Sequence, residues 1–453
     1  MPKIGLEVHG YINTKEKLFC RCRAIHGLKV AKPNTNICPV CTGQPGAKPM
    51  LPNKTAVEKS IQIASILKCR INPKIIWQRK HYDWPDLPKG YQNTISGAHA
   101  KTTGEDGKFL GIRIKEVHLE EDPAAWNPKT GEIDYNRSGL PLIEIVTEPD
   151  FSSPQQVIDW LKQLILTLSY IKALDKNAGI KADVNISLPE LKGVRVEIKN
   201  INSLTNIKTA IEKEIERQKN ETPKIQETRM FDESKGITIK MREKELAEDY
   251  RFISDPDLPV INIRELRITK IKSSLPETPQ EKLQKLIKKY KIEKRYAEIL
   301  TKKLEIAEFF EKIIEKTNLK LASQWTTIEL ISVLNYNKKE LEEVDIKPEH
   351  FIELLKLVEN KKITELKAKE ILRSWKEKSY SPLSEAKKSS QISDTKELEK
   401  VAEEIIKENQ AAISDYKSGK KESLNFLIGK VMQKTNKRAD FKTAREVLEK
   451  LLK

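Results

Sequence analysis

The stretch IGLEVHG, residues 4–10, sets the pattern of the first strand. Ile4, Leu6 and Val8 alternate with Glu7 and His9, and this period of two predicts a strand with one apolar and one polar face. Glu7 and His9 then lie side by side on the polar face. Two interpretations are open at this point: a solvent-facing pair, or the first half of a metal or catalytic site.

Two later stretches repeat this mixture of apolar residues and carboxylates. In EVHLEEDP, residues 116–123, a strand would turn Glu120 and Glu121 to opposite faces, so only one of them would serve a shared site. In PLIEIVTEPD, residues 141–150, Glu144 interrupts an apolar run and needs a partner if it is buried. Converging carboxylates and an imidazole suit an oxygen-preferring dication such as magnesium. The alternative is a solvated strand face, and spacing alone does not decide.

Four of the five cysteines form two close pairs, Cys20 with Cys22 and Cys38 with Cys41. This spacing is typical of a structural zinc site with four thiolate ligands. Buried cysteines without a metal are the alternative, whereas disulfides are disfavoured in the reducing cytoplasm where we expect this chain. Cys69 lies alone in an apolar stretch and is predicted to belong to the core.

Composition predicts an α+β protein with a helical second half. Twenty of the 22 prolines lie in residues 1–279, where short apolar runs alternate with turn signals, and Lys/Glu-rich stretches with helical periodicity follow. We therefore predict a strand-rich domain at 1–275, a helical domain at 276–389 and a small helical tail at 390–453. No apolar run approaches the length of a membrane span, and the first thirty residues are too charged for a signal peptide.

The charge pattern favours a nucleic acid partner. Lys and Arg number 83 against 66 Asp and Glu, a formal net charge of +17, and clustered cations bind phosphate backbones. In the tail, we predict phosphate contacts with RNA for Lys417, Lys420, Lys421, Lys430, Lys434, Lys437 and Arg438. A merely solvated helix surface is the alternative. Phe426, Leu427 and Ile428 are predicted to belong to the core of this small bundle.

Read in order, these stretches resemble one family, the GatB component of the glutamyl/aspartyl-tRNA amidotransferase. The matching text runs from the first strand to the tail and includes IGLEVHGYINTKEKLFCRC, PNTNICPVCTGQPGAKP, RKHYDWPDLPKGYQ, DYNRSGLPLIEIVTEPD and DYKSGKKESLNFLIGKVMQKT. The resemblance implies a cradle domain with a zinc site, a helical domain and a YqeY-like tail. It also implies an enzyme that uses ATP and magnesium to phosphorylate the side-chain carboxylate of Glu or Asp wrongly attached to tRNA. Ammonia then displaces the phosphate and gives Gln-tRNA or Asn-tRNA.

The resemblance also implies roles for particular residues. Glu7, His9, Glu144 and either Glu121 or Glu120 match the family's catalytic and magnesium-binding positions. Lys80 or Lys89 would meet phosphate or substrate, in a chain without the GxxxxGK[ST] or GxGxxG phosphate motifs. Two departures concern the substrate pocket: EEDPAAW stands where Ala-Gly-Lys usually follows the acidic residues, and Lys181 and Ala182 stand where Arg and Cys are usual.

The ammonia source is expected in another subunit, because this chain has no Gly/Ser-rich amidase signature. The family implies a heterotrimer with a GatA-like amidase and a small GatC-like subunit, acting on tRNA(Gln), tRNA(Asn) or both. The related GatE carries a large extra domain between cradle and helices, and here DPDLPVINI, residues 255–263, leads directly to the linker at 273–279. The alternative function is a zinc-bearing tRNA-binding protein without catalytic activity.

Overall fold

The computed structural model describes residues 1–25, 32–175, 178–243, 251–388, 395–420, 422–436 and 438–452. They form two compact units, Met1–Thr278 and Pro279–Lys453. The first is rich in strands and the second is helical, as the sequence predicts. The boundary predicted at residue 275 lies three residues from this division, and the one predicted at 389–390 lies outside the described residues.

Twelve described strands of the first unit form one large sheet. Ten of them follow the order β14-β13-β12-β11-β1-β10-β7-β5-β4-β15, and β2 and β6 join beside β7. Among these pairs, only β12 and β13 run parallel. The described strands are β1 (Lys3–Tyr11), β2 (Arg70–Ile71), β3 (Lys74–Ile75), β4 (Gln78–His81), β5 (Gln92–Thr94), β6 (Gly104–Phe109), β7 (Ile112–Glu121), β8 (Ala125–Trp126), β9 (Ile133–Asp134), β10 (Pro141–Thr147), β11 (Ile180–Ser187), β12 (Val196–Ile201), β13 (Glu227–Asp232), β14 (Ile237–Glu243), β15 (Arg251–Ser254) and β16 (Ile261–Asn262).

Helices of the first unit supply the apolar partners of the sheet. They are α1 (Lys54–Ile66), α2 (Pro154–Tyr170), α3 (Leu204–Asn220) and α4 (Glu265–Ser273). Ser153 caps α2 by accepting a hydrogen bond from the backbone N–H of Gln156, and Pro154 occupies the first helical position, where a missing N–H costs nothing. Trp160 of α2 packs edge-on against Phe109 and Phe151. These contacts bury one face of the sheet.

The apolar residues of β1 face this core. Ile4, Leu6 and Val8 are each at most 1% exposed and belong to the same hydrophobic cluster as α1, α2 and α3. The alternation in IGLEVHG is therefore a strand with one buried apolar face, and Glu7 and His9 lie on the other. Cys69 is buried in this core, which confirms its prediction.

The second unit consists of helices with short 3₁₀ and π-helical segments, among them a π-helical turn at Trp325–Leu330. One hydrophobic cluster, residues 286–386, includes Phe310, Phe351 and Trp375, and a smaller one covers residues 398–452. No helix among the described residues has both the length and the apolarity to cross a membrane. The described helices are α5 (Pro279–Lys288), α6 (Lys294–Leu300), α7 (Leu304–Ile314), α8 (Leu319–Gln324), α9 (Ile331–Tyr336), α10 (Pro348–Glu359), α11 (Glu365–Ser374), α12 (Leu383–Lys388), α13 (Thr395–Glu408), α14 (Gln410–Lys417), α15 (Glu422–Lys434) and α16 (Phe441–Leu452).

Candidate active site

Five neighbouring strands turn polar residues to the same face of the large sheet, opposite the apolar core. Residues directly paired across strands share a face. His9 of β1 pairs with Glu144 of β10, which pairs in turn with His118 of β7. On the other side of β1, Glu7 pairs with Asp183 of β11. From β7 to β12 this face carries Glu116, His118, Glu120, Glu144, Glu7, His9, Lys181, Asp183, Asn185, Glu197 and Lys199.

Glu144 is the centre of the first group on this face. Its Oε2 lies 3.2 Å from His9 Nε2 and 3.1 Å from His118 Nε2. One ligand atom each from His9, Glu120 and Glu144 lies within 4.8 Å of the others. Three such donors on rigid strands suit a divalent cation, with two carboxylates and one imidazole as ligands.

The electrostatics of this group are those of an anion held between two cations. Burial disfavours the charge on His9 and His118, but the Glu144 carboxylate outweighs it and raises the pKa of His9 to about 9 and that of His118 to about 10. Burial also opposes the charge on Glu144, yet the two imidazolium groups hold its pKa well below the usual range. Burial raises the pKa of Glu120, and Glu144 adds to the effect. A metal ion bound here would displace protons from these ligands.

A second group of carboxylates adjoins the first. Glu7, Asp183 and Glu197 also present oxygens within 4.8 Å of one another. Lys199 Nζ lies 3.0 Å from Asp183 Oδ2 and 3.7 Å from Glu197 Oε1, and the Asn185 amide donates to Glu7 Oε1 at 3.0 Å. Burial, followed by the repulsion of Glu144, Glu197 and Asp183, raises the pKa of Glu7. One lysine thus faces three carboxylates, an arrangement that a further cation would stabilise.

A cavity of about 320 Å³ opens on these groups. His9 and Glu120 lie in its wall together with the cations Arg137, Lys181 and Lys199. Arg137 is tied to the carboxylate of Asp122 at 3.3 Å. Basic side chains that face a cavity with metal-ligating carboxylates are the environment that phosphoryl transfer requires.

Not all residues predicted from the sequence meet here. Glu120, rather than Glu121, joins His9 and Glu144, because the two glutamates alternate on β7. Glu121 Oε1 instead accepts hydrogen bonds from Lys89 Nζ at 2.5 Å and from Asn93 N. Lys89 is therefore engaged within the protein. Glu7 belongs to the second carboxylate group and not to the His9 group.

Lys80 remains near the site. It lies on β4, paired with Gln92 of β5, and its charge lowers the pKa of Glu120 against the larger effect of burial. Sequence reasoning did not assign Asp183, Glu197, Lys199 or Arg137 to the site. For Asp183 a signal existed: ADVNISL, residues 182–188, alternates apolar and polar residues as IGLEVHG does.

The cysteines converge as predicted. The sulfur atoms of Cys20, Cys22, Cys38 and Cys41 all lie within 4.8 Å of one another, so the group could bind a metal such as zinc. A hydrogen bond with Cys20 lowers the pKa of Cys41 to about 5, whereas burial raises the pKa of Cys22 to about 11. A dication would stabilise the thiolate form of all four.

The tail carries its cations on α14 and α15. Lys434 pairs with Glu404 and Glu408, and Lys420 pairs with Asp415. Leu427 and Ile428 are buried as predicted, but Phe426 is 50% exposed, with Lys430 Nζ 5.5 Å from its ring centroid. Phe426 is therefore not a core residue, because it lies on the solvent side of α15. Lys421 and Lys437 lie outside the described residues.

Comparisons with known proteins agree along the whole chain. The GatB/GatE catalytic domain matches residues 2–269, and the GatB domain of the Yqey type matches residues 308–452. A protein of Methanocaldococcus jannaschii is 45% identical over an alignment that covers 99% of this chain and 98% of the relative. Proteins of Methanococcus maripaludis and Methanopyrus kandleri are 44% and 42% identical, with the same coverage. All three are named as the GatB-type subunit of an aspartyl/glutamyl-tRNA(Asn/Gln) amidotransferase.

Proposed function

This chain belongs to the GatB family of tRNA-dependent amidotransferase subunits, and we propose that its strand-rich unit amidates the side-chain carboxylate of Glu or Asp misattached to tRNA. The observation that carries the proposal is the convergence of His9, Glu120 and Glu144 at the wall of a cavity that also holds Arg137, Lys181 and Lys199. Carboxylates bind the metal, and the basic side chains face the phosphates.

The chemistry follows from the weakness of a free carboxylate as an acceptor for ammonia. One carboxylate oxygen attacks the γ-phosphorus of ATP, the bond to the β-phosphate oxygen breaks, and ADP leaves. Ammonia then attacks the acyl carbon, phosphate leaves with the C–O bond, and the amide remains. Magnesium held by His9, Glu120 and Glu144 would neutralise the phosphate charge that develops during transfer. Lys80, Lys181 and Lys199 supply further positive charge, and the buried strand face fixes all of these groups in place.

The relatives are named as one subunit of a larger enzyme, and we propose the same for this chain. Its ammonia comes from a GatA-like amidase, with a GatC-like small subunit in a cytoplasmic heterotrimer. The basic residues of α14 and α15 contact the phosphates of tRNA(Gln) or tRNA(Asn) without reading sequence. Zinc at the four cysteines has a structural role, because a site with four protein ligands leaves no open position for substrate.

The test is an amidation assay with the assembled enzyme, ATP, Mg²⁺ and glutamine, run separately with Glu-tRNA(Gln) and Asp-tRNA(Asn). The Glu144→Gln variant should lose amide formation by about 100-fold or more, because it removes a metal ligand and the partner of both histidines. Its tRNA affinity should be unchanged. Glu148→Gln, four residues on in the same segment, is the matched control and should react normally.

Normal turnover by Glu144→Gln would contradict the site assignment. If the wild-type assembly binds both tRNAs but amidates neither, the alternative of a zinc-bearing tRNA-binding protein without catalytic activity replaces this proposal.

A further inference from the structure

Glu121 is held by the segment that leads into β5. Its Oε1 accepts hydrogen bonds from Lys89 Nζ at 2.5 Å and from the backbone N–H of Asn93 at 2.8 Å. The side-chain amide of Gln92 donates to the backbone oxygen of Glu121 at 2.8 Å. The side chains of Lys89 and Glu121 are only 9% and 7% exposed, so the loss of either would leave a buried charge without its partner.

The loop that carries Cys38 and Cys41 packs tightly against the same segment. Gly43 has a φ of +64°, and a Cβ at this position would lie 2.1 Å from Pro88 O and 2.8 Å from Lys89 N. Glycine alone permits this approach. From the other cysteine pair, Phe19, which precedes Cys20, places its ring centroid 5.4 Å from Lys89 Nζ. Both halves of the cysteine group therefore adjoin Lys89.

Glu120 and Glu121 are consecutive residues of β7, so their side chains lie on opposite faces of the sheet. Contacts that fix Glu121 on one face consequently fix the backbone from which Glu120 reaches His9 and Glu144 on the other. We propose that Lys89 and Glu121 are positioning residues that transmit the state of the cysteine group to the cation site formed by His9, Glu120 and Glu144. This inference rests on the proposed function of that cation site.

The coupling has a thermodynamic form that is open to measurement. A zinc ion that holds the four sulfurs together also holds Gly43 against Pro88, and thereby Lys89 against Glu121. Occupancy of the cysteine group then raises the affinity of the carboxylate site for its own cation, and the reverse holds by linkage. Couplings of this kind change affinity by about 5- to 150-fold.

The experiment uses Mn²⁺ as the probe, titrated into the full chain and followed by electron paramagnetic resonance. Removal of zinc with a chelator should weaken Mn²⁺ binding at least fivefold. Because removal of the metal can itself unfold the loop, Gly43→Ala tests the same contact in zinc-loaded protein and should weaken Mn²⁺ binding by a similar factor. Gly46→Ala is the matched control: its φ is +81°, but an added Cβ there meets no atom within 4 Å.

Lys89→Gln should weaken Mn²⁺ binding while the zinc content stays unchanged, and Lys89→Arg should restore part of the affinity. Equal Mn²⁺ affinity in the wild type, Gly43→Ala and Lys89→Gln would overturn the inference and leave the cation site intact. A wild-type chain that binds no Mn²⁺ would overturn the proposed cation site itself, and the inference with it.

Discussion

Replacement of Lys199 by methionine would leave three carboxylates without their cation. Lys199 Nζ lies 3.0 Å from Asp183 Oδ2 and 3.7 Å from Glu197 Oε1, and its charge also lowers the pKa of Glu7 against the larger effect of burial. Loss of one partner from a buried pair costs about 3–5 kcal/mol. Because the Lys199 side chain is 29% exposed, solvent screens part of this interaction, and we expect about 2–4 kcal/mol.

Native-state hydrogen exchange suits this measurement, because it follows β11 and β12 separately from the helical unit. Lys199→Met should lower the protection of both strands by this free energy. Addition of Mg²⁺ or Mn²⁺ should restore part of it, since a cation that enters the group of Glu7, Asp183 and Glu197 replaces the lost ammonium charge. Lys208→Met is the control, because Lys208 makes an exposed 3.9 Å contact with Glu212. A loss below about 1 kcal/mol, or no recovery with either cation, would refute the reasoning.

Three further predictions concern other parts of the chain. Burial raises the pKa of Cys69 to about 12, so its thiol should stay unreactive towards a thiol reagent at pH 8 until the protein unfolds; labelling of the native chain at Cys69, mapped by mass spectrometry, would contradict this. Deletion of residues 390–453 should weaken tRNA binding and flatten its salt dependence, and an unchanged slope in filter-binding titrations would remove the tail from the interface. The Asp150 carboxylate accepts hydrogen bonds from the Arg113 guanidinium, which lower the pKa of Asp150. The stability that this pair contributes is present above about pH 4 and lost as the pH falls through the lowered pKa, so urea midpoints of wild type and Arg113→Ala should converge in acid, and a constant difference down to about pH 2 would argue against the pair.

Local patterns predicted much of the candidate site. The alternation in IGLEVHG places Glu7 and His9 on the face opposite the core, and the interruption of an apolar run by Glu144 indicates a buried carboxylate with partners, which the structure supplies as His9 and His118. The cysteine spacing predicts a four-sulfur group, and the sulfurs do converge. These predictions hold because side-chain direction along one strand, and ligand distance within one loop, depend on nearby residues only.

Residue order along the chain was enough to show which residues of the first strand face the core, which alternate away from it and which cysteines pair. Only the folded arrangement shows that Glu120 and not Glu121 meets His9, that Glu7 joins Asp183 from a distant part of the chain, and that Lys89 is engaged by Glu121. Strand register accounts for this difference, because a shift of one residue in any pairing exchanges the two faces. Register is set by packing against α1, α2 and α3, which no local pattern contains.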